Sequence, residues 1–217
     1  MSIAENLHKI KSSIPENVTL VVVTKTQPVE KIMEVYNAGH LIFGENKVQE
    51  MLGKYEQLPK DIQWHIIGHL QSNKVKFIAP FVSLIHSVDS LKLLQEINKQ
   101  AQKNNRIIDC LLQVYIAKEE SKFGLDFTDV EQLFHSEQLN ELKNIRITGL
   151  MGMATNTVNQ DQIANEFKSL NAFFKKLQTV RPSIQILSMG MSSDYPVAIE
   201  NGSTLIRVGS SIFGYRN

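Results

Sequence analysis

Val18-Thr19-Leu20-Val21-Val22-Val23-Thr24-Lys25-Thr26-Gln27-Pro28 holds the reading of the fold. Its apolar run is continuous rather than alternating, as in a parallel strand covered on both faces. Pro28 then presets a first helical turn, and Val29, Ile32, Met33 and Tyr36 fall on one helical face before Gly39 closes the segment. The stretch is therefore a strand, a short turn and an amphipathic helix. Lys25 stands at the C-terminal tip of the strand, the end at which α/β barrels carry their chemistry. An amine held there is able to condense reversibly with an aldehyde. The competing reading is a solvated loop lysine.

The same unit recurs along the chain. Strands are read at Thr19–Lys25, Leu41–Glu45, Gln63–Gly68, Leu84–Asp89, Ile108–Ile116, Arg146–Met153, Gln185–Met189 and Thr204–Val208, after a first helix at Ile3–Ser12. Between the later strands, Ile163, Phe167, Leu170, Phe174 and Leu177 step by four and three, leaving Lys168, Lys175 and Lys176 for water. Thr128-Asp129-Val130-Glu131 has the form of a capping box opening a helix before Leu133 and Phe134. Eight strands alternating with helices predict a single (β/α)8 TIM barrel with an extra N-terminal helix, residues 1–217 forming one domain. A doubly wound open sheet is the alternative, but no G-x-G-x-x-G follows the first strand.

Composition narrows the function classes. The 217 residues are 42% hydrophobic and 21% charged with net charge +1, so no whole-chain field attracts nucleic acid or an anionic membrane. The start carries no signal-like segment, and no apolar stretch reaches the roughly 18 residues of a membrane span. The single cysteine, Cys110, excludes an internal disulfide and a Cys-rich metal site. His65, His69 and His86 lie near strand ends without a zinc-binding spacing, and His65 reads as a hydrogen-bonded rim residue. These features predict a cytoplasmic protein that binds no metal, nucleic acid or membrane. No conspicuous apolar surface helix suggests an oligomer, so a monomer is the expected state.

Two turns at the far end of the chain are rich in glycine and serine. Ser188-Met189-Gly190-Met191-Ser192-Ser193-Asp194 follows strand seven, and Arg207-Val208-Gly209-Ser210-Ser211-Ile212-Phe213-Gly214 carries strand eight into its turn. Barrels often hold phosphate in these two loops, where backbone N–H groups and hydroxyls are uncovered. Ordinary structural turns would have the same composition. Arg207, inside the last strand, must be paired or meet a ligand. It is read either as a core-rim partner of Glu45 or Asp89, or as a donor to a heteroaromatic nitrogen. A lysine, a phosphate cup and an arginine around one mouth describe a pyridoxal phosphate site. Lys122, after strand five, is read as a loop lysine with a possible share in the charge of the mouth.

Further motifs sharpen this. Thr24-Lys25-Thr26-Gln27-Pro28, Phe43-Gly44-Glu45-Asn46 with Gln49-Glu50, and His65-Ile66-Ile67-Gly68-His69-Leu70-Gln71-Ser72-Asn73-Lys74 are joined by Gly149-Leu150-Met151-Gly152-Met153 and the two Gly-Ser turns. Together they resemble the pyridoxal phosphate homeostasis proteins, whose barrel is similar to the N-terminal domain of alanine racemase. The resemblance implies pyridoxal 5′-phosphate as cofactor, held by Lys25 as a Schiff base. It also implies phosphate contacts at Ser192, Gly209 and Ser210, Arg207 facing the pyridine nitrogen, and Asn46 and Met191 lining the pocket. Lys47 departs from the pattern, which has tyrosine after Gly-Glu-Asn. The implied role is storage or delivery of the cofactor, with pyridoxal phosphate-dependent apo-enzymes as partners. An arginine beside the pyridine nitrogen weakens carbanion stabilisation. The chain ends at Asn217, just after the last strand, so the second base that racemases draw from a further domain is not expected. Open alternatives are a small racemase-like enzyme and a barrel for another phosphorylated metabolite.

Overall fold

The strand segments are short, β-branched and apolar on both sides, so each needs a helix on one face and the barrel interior on the other. The computed structural model describes residues 2–118 and 124–214, and Lys122 lies outside them. A helix α1 (Ile3–Ser13) precedes β1 (Thr19–Val23), α2 (Val29–Asn37), β2 (Ile42–Glu45), α3 (Val48–Gln57) and β3 (Gln63–Ile66). A 3₁₀ turn (Ser72–Lys74), α4 (Val75–Ile78), β4 (Leu84–Val88), α5 (Leu91–Lys103) and β5 (Ile108–Tyr115) follow. The chain continues through α6 (Phe127–His135), α7 (Glu137–Asn140), β6 (Ile145–Met153), α8 (Gln160–Val180), β7 (Ile186–Met191), α9 (Tyr195–Glu200), β8 (Leu205–Val208) and α10 (Ser210–Phe213). Each strand pairs in parallel with the next, and β8 closes on β1 with Leu20 beside Ile206 and Val22 beside Val208. This is the (β/α)8 barrel with its additional N-terminal helix.

Strand period two divides the buried residues into two layers. One set packs outward under the helices, with Phe43, Trp64, Ile85, Ile97, Phe167 and Ile206 fully buried there. A second, separate cluster of Val21, Leu84, Leu111, Met151 and Leu205 fills the barrel floor, with Ile42 and Ile186 against it. One step higher along these strands the inward positions are Val23, His86, Gln113, Met153, Ser188 and Arg207. The interior is thus apolar below and polar above, with the cavity on the C-terminal side.

Two local expectations are corrected. The capping box at α6 is formed by Asp126 and Asp129, each side chain accepting the other's backbone N–H at 2.7 and 3.0 Å. The helix starts ahead of Thr128 because Asp126 is an equally good cap and Val130, Leu133 and Phe134 are buried from either start. Strand β7 runs two residues past Met189 to Met191. Gly190, at φ 97°, supports a register shift against β8 that brings Met191 opposite Arg207.

Candidate cofactor site

The cavity at the C-terminal mouth has a volume of about 730 Å³. Lys25, Asn46, Met191, Ser192, Arg207, Gly209 and Ser210, chosen from the sequence, all line it. Topology alone brings them together. β1 delivers Lys25, β2 ends one residue before Asn46, β7 and its turn supply Met191 and Ser192, and β8 supplies Arg207 and the Gly209-Ser210 turn. Gln27, Ile67, His69, Gln113 and Met153 complete much of the wall. Sequence reasoning does not place these at the cavity, although His69 reads as a strand-end histidine and Gln27, Ile67, His69 and Met153 stand in the quoted motifs. Gln113 had a visible signal, a polar residue within the apolar run Leu111-Leu112-Gln113-Val114.

Arg207 is 4% exposed and forms the cavity's inner cation. One guanidinium nitrogen donates to Ser188 Oγ at 2.7 Å and Ser188 O at 3.1 Å, and the other donates to Gly152 O at 3.0 Å. Neither suggested carboxylate is its partner. Glu45 is bonded by Lys54 at 2.6 Å, and Asp89 faces His69 at 3.5 Å. Burial pulls the Arg207 guanidinium down to about 10, with Asp194 acting in the opposite sense. It remains a cation at neutral pH.

A buried chain extends from it. Ser188 Oγ lies 3.0 Å from His86 Nδ1, and His86 Nε2 lies 3.0 Å from His65 Nδ1. Arginine only donates, so Ser188 Oγ accepts from Arg207, and its second lone pair or its proton faces His86 Nδ1. One ring nitrogen of the His65–His86 pair carries the hydrogen between them. Burial holds both rings neutral, pushing His65 down to about 3 and His86 well below its ordinary value. His65 is therefore an interior residue and not the rim residue that its position near a strand end suggested. Its place in the alternation of β3 turns it inward.

The serine turns also meet as their sequence implied. The Gly209 and Ser211 backbone N–H groups converge on Ser192 Oγ at 3.2 and 3.5 Å. Two amides and a rotatable hydroxyl at one point are a donor set suited to an anionic oxygen. The Met191 N–H is taken by Asp194 Oδ1 at 2.6 Å, which fixes the β7 turn. Among the described residues no group of three His, Cys, Asp or Glu side chains is placed to hold a metal ion. Nor is any described helix long and apolar enough to cross a membrane.

A family model for the N-terminal domain of alanine racemase matches residues 1–217. The pyridoxal phosphate homeostasis protein of Aquifex aeolicus is 43% identical over 195 residues, covering 89% of this chain and 85% of that protein. The chain belongs to the pyridoxal phosphate homeostasis protein family. Another member, from Vibrio alginolyticus, is 37% identical and covers 100% of this chain and 98% of its own. Among solved structures, PipY of Synechococcus elongatus PCC7942 without pyridoxal phosphate superposes with a TM-score of 0.92 at 37% identity. It covers 98% of this chain and all of that one. The same protein with pyridoxal phosphate bound gives 0.89. Alanine racemase of Clostridium difficile 630 shares the fold at 16% identity and TM-score 0.78, with this chain spanning 57% of it.

Proposed function

We propose that this chain binds pyridoxal 5′-phosphate at the barrel mouth and serves vitamin B6 homeostasis by storing or delivering it. The observation that carries the reading is a single cavity lined by a lysine, a buried arginine and a cup of backbone amides and serine hydroxyls. The residues fit the three recognition elements of the cofactor, an aldehyde, a pyridine nitrogen and a phosphate. When bound, the cofactor supplies an aldehyde that condenses with a primary amine to a Schiff base, and Lys25 is the amine assigned to it. Ser192, Gly209 and Ser210 hold the phosphate, Arg207 donates toward the ring nitrogen, and Asn46 and Met191 form walls. Members of the family are named as pyridoxal phosphate homeostasis proteins, which supports the role.

The environment of Arg207 argues for holding rather than transforming an amino acid. Arginine cannot accept the proton of a pyridinium, and Ser188, His86 and His65 are already committed to one another. Without a carboxylate at the ring nitrogen, the electron sink on which amino-acid chemistry depends is weak. We therefore read the protein as a carrier, cytoplasmic and monomeric. Its partners on this reading are apo-enzymes whose own lysine accepts the aldehyde.

Absorbance spectroscopy with borohydride trapping tests the assignment. The unmodified protein mixed with pyridoxal 5′-phosphate should give a visible band that borohydride removes, and peptide mapping should place the reduced pyridoxyl group on Lys25. Lys25→Ala should fold normally and lack the band. A label found chiefly on another lysine would overturn Lys25, and turnover of an amino acid by racemase or transaminase assay would overturn the carrier reading.

A further inference from the structure

The backbone on either side of Lys25 is gripped by a charged cluster outside the cavity wall. Gln27 N donates to Thr24 O at 2.9 Å, closing a four-residue turn with Lys25 and Thr26 at its centre. Thr26 has φ 64°, the left-handed region that a β-branched residue resists. Two side chains of α3, one turn apart, hold that turn. Lys54 Nζ donates to Thr24 O at 2.7 Å, and a Glu50 carboxylate oxygen accepts the Thr26 N–H. The two pair with each other at 2.7 Å. Beneath them Glu45, fully buried at the end of β2, accepts from Lys54 at 2.6 Å and from the Thr24 hydroxyl at 2.5 Å. Lys54 itself is 6% exposed. Glu45 Oε2 is buried with no hydrogen-bond partner among the described residues. Such a buried carboxylate is held in place by its surroundings and does not find its position by itself.

We infer that Glu50 and Lys54, braced by Glu45, are positioning residues for the Lys25 amine, clamping the carbonyl before it and the N–H after it. The inference rests on the reading of Lys25 as the amine that captures the aldehyde. In that capture Lys25 Nζ bonds to the aldehyde carbon, and the aldehyde oxygen leaves with both amine hydrogens as water. The step needs Nζ over one place in the cavity, and a lysine on a loosened turn loses that placement. Neither Glu50 nor Lys54 lines the cavity, and both touch the turn that carries Lys25. Local strain kept by flanking anchors is a common arrangement at sites where geometry decides chemistry. The cluster separates two properties of the site. The phosphate cup and Arg207 decide non-covalent affinity, while the clamp decides covalent capture.

A pair of ligands reads the two apart. Pyridoxine 5′-phosphate has the same ring and phosphate but an alcohol in place of the aldehyde, so it cannot react with Lys25. Glu50→Ala should weaken binding of pyridoxal 5′-phosphate at least about tenfold and leave pyridoxine 5′-phosphate within about twofold. Adding Thr26→Gly should recover much of the loss, because glycine adopts φ 64° without the clamp. Thr26→Ala should recover none. Equal weakening for both ligands, no weakening for either, or failure of Thr26→Gly to rescue would each overturn the inference. If Glu50→Ala does not fold, Glu50→Met, which keeps the length of the side chain but offers the Thr26 N–H no oxygen, carries the same comparison. A purified unmodified protein that shows no visible band and binds neither ligand would instead sink the underlying function, and the clamp with it. A normal band with an unselective Glu50→Ala sinks the clamp only.

Discussion

Removing the phosphate from the ligand is the sharpest perturbation of the proposed cup. Pyridoxal and pyridoxal 5′-phosphate offer Lys25 the same aldehyde, so any difference in affinity belongs to the groups around the phosphate. In the structure the Gly209 and Ser211 amides are satisfied by Ser192 Oγ at 3.2 and 3.5 Å. An anionic oxygen at that point takes both amides and lets the Ser192 hydroxyl turn round to donate. Charge-assisted bonds of this kind contribute about 1.5–3 kcal/mol each. Two of them amount to about 3–6 kcal/mol, or about a hundredfold to about ten-thousandfold in Kd at about 1.4 kcal/mol per decade. Equilibrium dialysis of both ligands against the unmodified protein measures the difference. Ser192→Ala removes one donor and should cost pyridoxal 5′-phosphate about tenfold to a hundredfold while leaving pyridoxal unchanged. Gly209→Val should erase most of the preference by a less direct route. A Cβ at Gly209 meets Val23 O at 3.0 Å, so the side chain pushes the turn away from β1 instead of filling the cup. Comparable affinities for the two ligands in the unmodified protein, or equal loss of both in Ser192→Ala, would refute the reasoning.

Three further outcomes follow from the same geometry. Arg207→Glu should do more than exchange a ring partner. It removes the donors to Ser188 O and Gly152 O and buries a carboxylate against them, so Tm should fall by more than about 10 °C, and a native-like Tm would show those carbonyls satisfied otherwise. Stability should decline as pH falls below about 6.5. Burial holds folded His40 down to about 4, so only the unfolded chain takes up that proton between about 6.5 and 4. This contribution is complete above pH 6.5 and is lost on the way down to 4. It is worth about 3 kcal/mol at about 1.36 per pH unit, and a urea midpoint flat over that interval in the unmodified protein would contradict it. Gly149→Ala should abolish soluble expression, because a Cβ there would lie 1.8 Å from Ile186 O across the β6–β7 seam. Normal yield and melting would refute so close an approach.

The strand runs were legible because sheets buried on both faces are written as continuous apolar segments, and Val18–Val23 is an extreme case. The same continuity hides which residues face inward. Val21 and Val22 are alike in sequence, yet one lies on the barrel floor and the other under the helices. Only the polar exceptions expose the alternation. Arg207, Ser188, His86 and Gln113 stand one inward step above Leu205, Ile186, Leu84 and Leu111. His65 reads as a rim residue in the sequence because the last residues of a strand cannot be assigned a depth without its register. The cavity's principal residues were legible through motifs. The clamp on Lys25 was not, because Glu45, Glu50 and Lys54 look like ordinary charges on a strand end and a helix until the fold brings them to the turn.

The hydrogen-bonded chain below the cavity starts at a group that can only donate, so at Ser188 Oγ one lone pair faces the guanidinium. From Arg207 the chain runs through Ser188 and His86 to His65, every member buried. These buried dipoles surround a cation that makes no ion pair among the described residues. The charge is met by carbonyl and hydroxyl oxygens in place of a bonded carboxylate.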